Sequence, residues 1–179
     1  MKKTLLLLSL MALVMASHAQ ESRRERAVAR PNHIMLDPIS LIAGPVLNFS
    51  YERAINEDVG LGLHSLLGLG AMDEMIQFSP FGRLYVGGSH GAGFFMETFV
   101  PITNMEETFQ KYNDAHDSYT EVMERRTSVG LGVGLGGKWL FKRNLMLEVS
   151  GGIARKFINT TDNTESITGK WMIGFGYAF

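Results

Sequence analysis

Five ionisable residues are spaced so that a fold could bring them together: Glu52, Arg83, Glu97, Lys138 and Glu148. Lys138 and Glu148 are equidistant from Arg143, and Arg83 and Glu97 are equidistant from His90. A short turn at each midpoint sets the two members opposite each other, where unlike charges on antiparallel strands attract. A lone charge in a narrow interior is costly. The spacing therefore predicts a polar plug of these five, with His64 nearby. The alternative is that the same charges line a water-filled channel.

Other chemistry is thinner. His116, flanked by Asp114, Asp117 and Ser118, supplies the residue types of a hydrolase, which needs base, acid and nucleophile in mutual reach. The same residues are ordinary members of a polar loop, and that reading is adopted, with a lipid-modifying enzyme as the alternative. No catalytic residue is assigned. His33, His64, His90 and His116 lack the spacing of metal ligands. The chain has no cysteine, which removes thiolate zinc sites, thiol nucleophiles and disulfides. Glu106 and Glu107 are read as solvated, so no metal is expected. Gly132 to Gly137 fits G-x-G-x-x-G, but a dinucleotide site needs that motif between a strand and a helix. Here alternation runs on into Trp139 and Phe141, so the glycines belong within a strand and no cofactor is expected.

Those charges need a scaffold of about the right kind. With 179 residues, 17 basic and 18 acidic, the chain lacks the basic excess of a nucleic-acid binder. Its 45% hydrophobic and 20% charged residues exclude wholesale disorder. Lys2 and Lys3, the apolar run Leu5 to Met15 and the small-x-small exit Ser17-His18-Ala19 describe a cleaved secretory signal peptide over 1–19. The run falls short of the roughly 20 apolar residues of a helical span. An Arg-rich polar leader follows over 20–32, and the folded part is expected over 33–179.

From His33 on, the dominant signal is period-two alternation, the mark of half-buried strands. Val129, Leu131, Val133 and Leu135 share one face, while Ser128, Gly130, Gly132 and Gly134 share the other. At the end, Trp171, Ile173, Phe175, Tyr177 and Phe179 alternate with Lys170, Met172, Gly174, Gly176 and Ala178. Eight such segments are predicted, over 33–43, 46–55, 59–69, 76–87, 92–103, 125–141, 145–157 and 168–179. Pro80 and Gly82 leave the phase of 76–87 open and suggest a bulge. The connections 103–124 and 158–168 are long and polar, with a possible short helix over Met105–Tyr112; most others are short.

A membrane barrel turns its large apolar residues outward and its polar ones inward, the reverse of a soluble barrel. The charges sit on the glycine-rich face, and eight strands leave a lumen just wide enough for side chains to fill. If that face pointed to water, solubility would rest on rows of bare glycine. The expected fold is therefore all-β, an eight-stranded antiparallel up-and-down transmembrane β-barrel, with a soluble lipocalin-like carrier as the last alternative. Aromatics group toward the two ends, as headgroup-level girdles require. Arg155 is an exception on the apolar face, tolerable near a strand end where it snorkels to the headgroups.

With its signal peptide, its alternating segments and its final Tyr177-Ala178-Phe179, the chain resembles the small outer-membrane barrels of the OmpX/OmpA-transmembrane type. The stretch Asn48-Phe49-Ser50-Tyr51-Glu52-Arg53, followed by a short turn and a Gly/Leu strand, resembles a family of such barrels with no established catalytic residues. The resemblance implies residence in the cell outer membrane among its lipids. It also implies that Tyr177 and Phe179 form a signal read by the outer-membrane assembly machinery. The expected role is non-enzymatic, structural or in surface interaction through the loops 103–124 and 158–168. The surface ligand is left open, and no nucleic acid is expected.

Overall fold

The computed structural model describes residues 30–69, 75–86, 91–113, 118–141, 144–158 and 166–179, with backbone only for those falling in 107–124. The expected signal peptide and most of the expected leader lie outside these residues, as do His90, Asp114, His116, Asp117 and Arg143. The elements are β1 (Asn32–Asp37), α1 (Pro38–Ala43), β2 (Val46–Ala54), β3 (Val59–Gly68), β4 (Ile76–Val86), β5 (Gly93–Phe99), β6 (Ile102–Asn113), β7 (Ser118–Leu140), β8 (Leu145–Ile158) and β9 (Ile167–Ala178).

Every pairing is antiparallel, and both ends of the strand order find partners: β3 pairs with β4, and β6 with β7, while the first strand, β1, pairs with the last, β9. The sheet therefore closes. β5 and β6 form a single stave, because both pair with β4 and β7 in an unbroken register across Val100 and Pro101. Counted by staves, this is a closed eight-stranded antiparallel β-barrel. The seam is tied at its base by reciprocal bonds, Asn32 N–H to Phe179 O at 3.1 Å and Phe179 N–H to Asn32 O at 2.9 Å. Closure removes the free edges that an open sheet would present to other chains.

Three features differ from the pattern reading. The first predicted strand, 33–43, stops at Asp37 and turns into α1. Pro38 has no N–H to give the β9 ladder, and its fixed φ suits the first helical position. Asp37 caps the helix, its carboxylate accepting the N–H groups of Ile39 at 2.9 Å and Ser40 at 3.0 Å. Where β1 leaves β9, side chains replace the missing ladder. Asp37 accepts the Ile173 N–H at 3.1 Å, while Asn48 donates to Trp171 O at 2.8 Å and Gln77 to Gly169 O at 3.2 Å.

The second difference is the polar stretch 103–124. It is mostly hairpin: β6 and β7 pair without a break from Ile102↔Val129 to Asn113↔Ser118, so no helix forms over Met105–Tyr112. β7 reaches 23 residues. Likewise the 158–168 connection is shorter than its sequence suggests, with Ile158 in β8 and Ile167 and Thr168 in β9. The third concerns β4, whose register against β3 is continuous, with no bulge at Pro80. Gln77, Ser79, Phe81, Arg83 and Tyr85 point inward, which fixes its phase. The neighbouring stave keeps its register between β5 and β6 as well: Val100 N–H reaches Pro80 O at 3.0 Å, and Gly130 N–H reaches Pro101 O at 2.9 Å.

The wall sorts its residues by side. On β7, Leu131, Val133 and Leu135 are 57%, 64% and 71% exposed on the outside. Inside, Lys138 and Glu148 are fully buried. Glycines on the lumen face make room for what fills it. A Cβ at Gly134 would lie 2.7 Å from Glu97 Oε1, and one at Gly132 would lie 2.5 Å from the Phe99 ring.

Candidate functional site: the ionic plug of the lumen

Arg83 sits at the middle of the barrel, on β4. Its Nε donates to Glu97 Oε2 at 3.0 Å and Nη1 to Glu52 Oε2 at 2.7 Å. Toward Glu148 the contact is a fork, Nη2 to Oε1 at 2.6 Å and Nη1 to Oε2 at 2.9 Å. Such bidentate, charge-assisted bonds combine strength with directional specificity. The guanidinium carbon also lies 4.3 Å from the Phe81 ring centroid and 4.1 Å from that of Phe95, so the cation is held between two aromatic faces.

Two lysines extend the cluster. Lys138 on β7 places Nζ 2.5 Å from Glu52 Oε2 and 3.4 Å from Glu148 Oε2. Lys170 on β9 donates to Glu97 Oε2 at 3.0 Å and lies over the Phe81 and Phe99 rings. Tyr85 donates its hydroxyl to Glu52 Oε1 at 2.6 Å, and Ser150 donates to Glu148 Oε1 at 2.8 Å. Three cations (Arg83, Lys138, Lys170) thus meet three carboxylates (Glu52, Glu97, Glu148), and the cluster is formally neutral. Neutrality matters because an unpaired buried ion costs several kcal/mol, on the order of the whole margin of stability.

The register explains why these six meet. Arg83 stands directly opposite Glu97 across β4 and β5, and Lys138 directly opposite Glu148 across β7 and β8. Glu52 on β2 has no such partner beside it; it meets Arg83 and Lys138 through the lumen. His64 is buried on β3 in a row with Ser50 of β2 and Ser79 of β4. It joins none of the ion pairs, and neither ring nitrogen has a hydrogen-bond partner among the described residues. Pattern reading missed Lys170 and Tyr85. Lys170 shares the small-residue face of β9, a signal that was present, whereas Tyr85 was hidden by the undetermined phase of β4.

Above the plug, toward the β6–β7 hairpin, the polar filling continues, with Asp37 and Lys156 also buried there. Thr103 donates to Gln77 Oε1 at 2.9 Å, and Gln77 donates to Ser79 Oγ at 3.3 Å. Below it, Met35, Leu140, Met146 and Met172 pack together with Ala92 and Ala178. Tyr177 and Phe179, about half exposed, point outward at the base of β9. Among the described residues no group of three or more His, Asp or Glu could hold a metal ion.

No protein-family model matches the chain, and no curated protein matches its sequence. Two solved structures are similar. The N-terminal β-barrel domain of Pseudomonas aeruginosa OprF aligns with a TM-score of 0.51 at 15% identity, covering 84% of this chain and 98% of that one. The Yersinia pestis outer membrane protein Ail, determined in a phospholipid bilayer nanodisc, aligns with a TM-score of 0.43 at 15% identity, covering 84% and 99%. The fold is that of the small outer-membrane β-barrels. At that identity the likeness carries the fold and no residue roles. The G-x-G-x-x-G glycines lie inside β7, and no helix follows them.

Proposed function

We propose that the protein is an integral outer-membrane β-barrel, closed to solutes by the Arg83-centred plug and non-enzymatic, whose working part is the surface presented by the β6–β7 hairpin and the 158–168 connection. One observation carries the reading. The barrel is inverted, with rows of large apolar side chains exposed outside and six interlocked charges buried inside. In water such a wall would expose far more contiguous apolar surface than a soluble monomer tolerates, whereas hydrocarbon accepts it. The signal-peptide pattern of residues 1–19 and the outward aromatics Tyr177 and Phe179 agree with export and with recognition by the assembly machinery. The partners in this reading are outer-membrane lipids throughout and that machinery during biogenesis.

The plug argues against the channel alternative. Arg83 is held by four hydrogen bonds to three carboxylates from three strands, so opening a path means breaking several buried pairs at once. The enzyme alternative rested on His116 and Ser118; His116 and the side chain of Ser118 lie outside the described residues. Fractionation tests the reading. The protein should stay in the membrane pellet after carbonate extraction and migrate faster on gels before boiling than after. Release by carbonate, or mobility indifferent to heating, would contradict it.

A further inference from the structure

A second feature lies on the outer wall, away from the plug. Between the outward side chains of β7, β8 and the start of β9 runs a concavity of about 380 Å³. Leu131, Val133, Ile153 and Ile167 line it, and Arg155 stands at one end. That volume lies within the range of small-molecule sites, about 300–1,000 Å³. The sequence makes the hollow. Gly169, the β9 residue opposite Ile153, has no side chain to build the wall up, and Gly151, two residues before Ile153, leaves open space outward. A β-bulge opposite Val129 and Gly130 adds local twist just beyond Arg155.

Arg155 is the anomaly. It points outward in the row Val149, Gly151, Ile153, Arg155, Phe157, and it is exposed. Among the described residues it has no hydrogen-bond or ion-pair partner. Its register partners are Leu131 and Ile167, so apolar groups flank it on both sides. It lies on the hairpin side of the apolar band, where headgroups begin in the membrane reading. A permanently charged fork above an apolar trough complements an amphiphile with a phosphate head and a hydrocarbon tail.

We infer that this hollow is a binding site for a phosphate-bearing lipid of the outer leaflet, one acyl chain lying along Leu131, Val133, Ile153 and Ile167 and the phosphate on the Arg155 guanidinium. The inference rests on the membrane reading. Its test is native mass spectrometry of the full chain released from nanodiscs containing phosphorylated lipid A or its dephosphorylated counterpart. The wild-type chain should retain the phosphorylated lipid about tenfold more, the value of one good charge-assisted contact. Arg155→Gln should erase that preference, Arg155→Lys should keep part of it, and Val133→Trp, which fills the trough, should lower retention of both lipids. Equal retention of the two lipids by the wild-type chain, a preference surviving Arg155→Gln, or a second copy of the chain in place of lipid would overturn the site alone. Failure of the wild-type chain to enter nanodiscs would overturn the site together with the membrane reading.

Discussion

Replacing Arg83 by Met removes the centre of the plug while keeping a long, apolar stem between Phe81 and Phe95. Four charge-assisted hydrogen bonds disappear, and the cluster passes from three cations and three anions to two and three. Lys138 and Lys170 still serve Glu52 and Glu97, so Glu148 loses most, keeping only Ser150 and the longer Lys138 contact. Leaving a buried charge without its partner costs about 3–5 kcal/mol. Adding Glu148→Gln restores neutrality, and the double variant should recover at least about 1 kcal/mol relative to the sum of the single changes, as coupled neighbours do. The assay is urea unfolding of the barrel in lipid vesicles, followed by tryptophan emission and gel mobility. A loss under about 1 kcal/mol for Arg83→Met, the scale of an exposed ion pair, would refute the claim that the plug is buried and interlocked.

Glycine substitutions separate the two faces of the wall. Gly132→Val should impair folding, because its Cβ would meet Phe99 and Ala154 at 2.5 and 2.6 Å, whereas Gly151→Val meets nothing within 4 Å and should fold at least as well. Refolding yields by heat-shifted mobility compare them. Asp37→Ala loses the α1 cap and the bonds to Asn48 and Ile173, and should cost about 1–2 kcal/mol, the scale of a helix cap. Faster hydrogen exchange at the Ile173 amide should mark the site of the damage. Phe179→Ala should lower the amount of folded barrel reaching the membrane in cells while leaving unassisted refolding in detergent nearly unchanged. Equal loss in both settings would assign Phe179 to packing rather than recognition.

How much could be read from the chain depended on whether the two faces of a strand carry different residue types. β7 and β8 within the band were legible because Leu131, Val133 and Leu135 alternate with glycine, and the turn-midpoint spacing of Lys138 and Glu148 specified their partnership. Glu106 to Asn113 mix charged, polar and aromatic residues with no period of two, so the hairpin read as a loop. α1 was obscured by Ile39, Leu41 and Ile42, which mimic a greasy strand; the pair Asp37-Pro38, an N-cap followed by proline, was the local signal against it. The inward aromatics Phe95 and Phe99 escaped for a different reason. Large residues were expected outside, yet a lumen holding an arginine and two lysines also needs ring faces to pack on.

Because the chain has no cysteine, single nitroxide labels can be placed one at a time. Labels at Thr127, Leu131, Val133 and Leu135 along the outer face of β7, in reconstituted bilayers, would report accessibility to oxygen and to a water-soluble nickel complex. The inverted barrel predicts high oxygen and negligible nickel accessibility at Leu131, Val133 and Leu135, with nickel access appearing by Thr127. Nickel access at all four positions would mean that the apolar rows face water, and the account would be wrong.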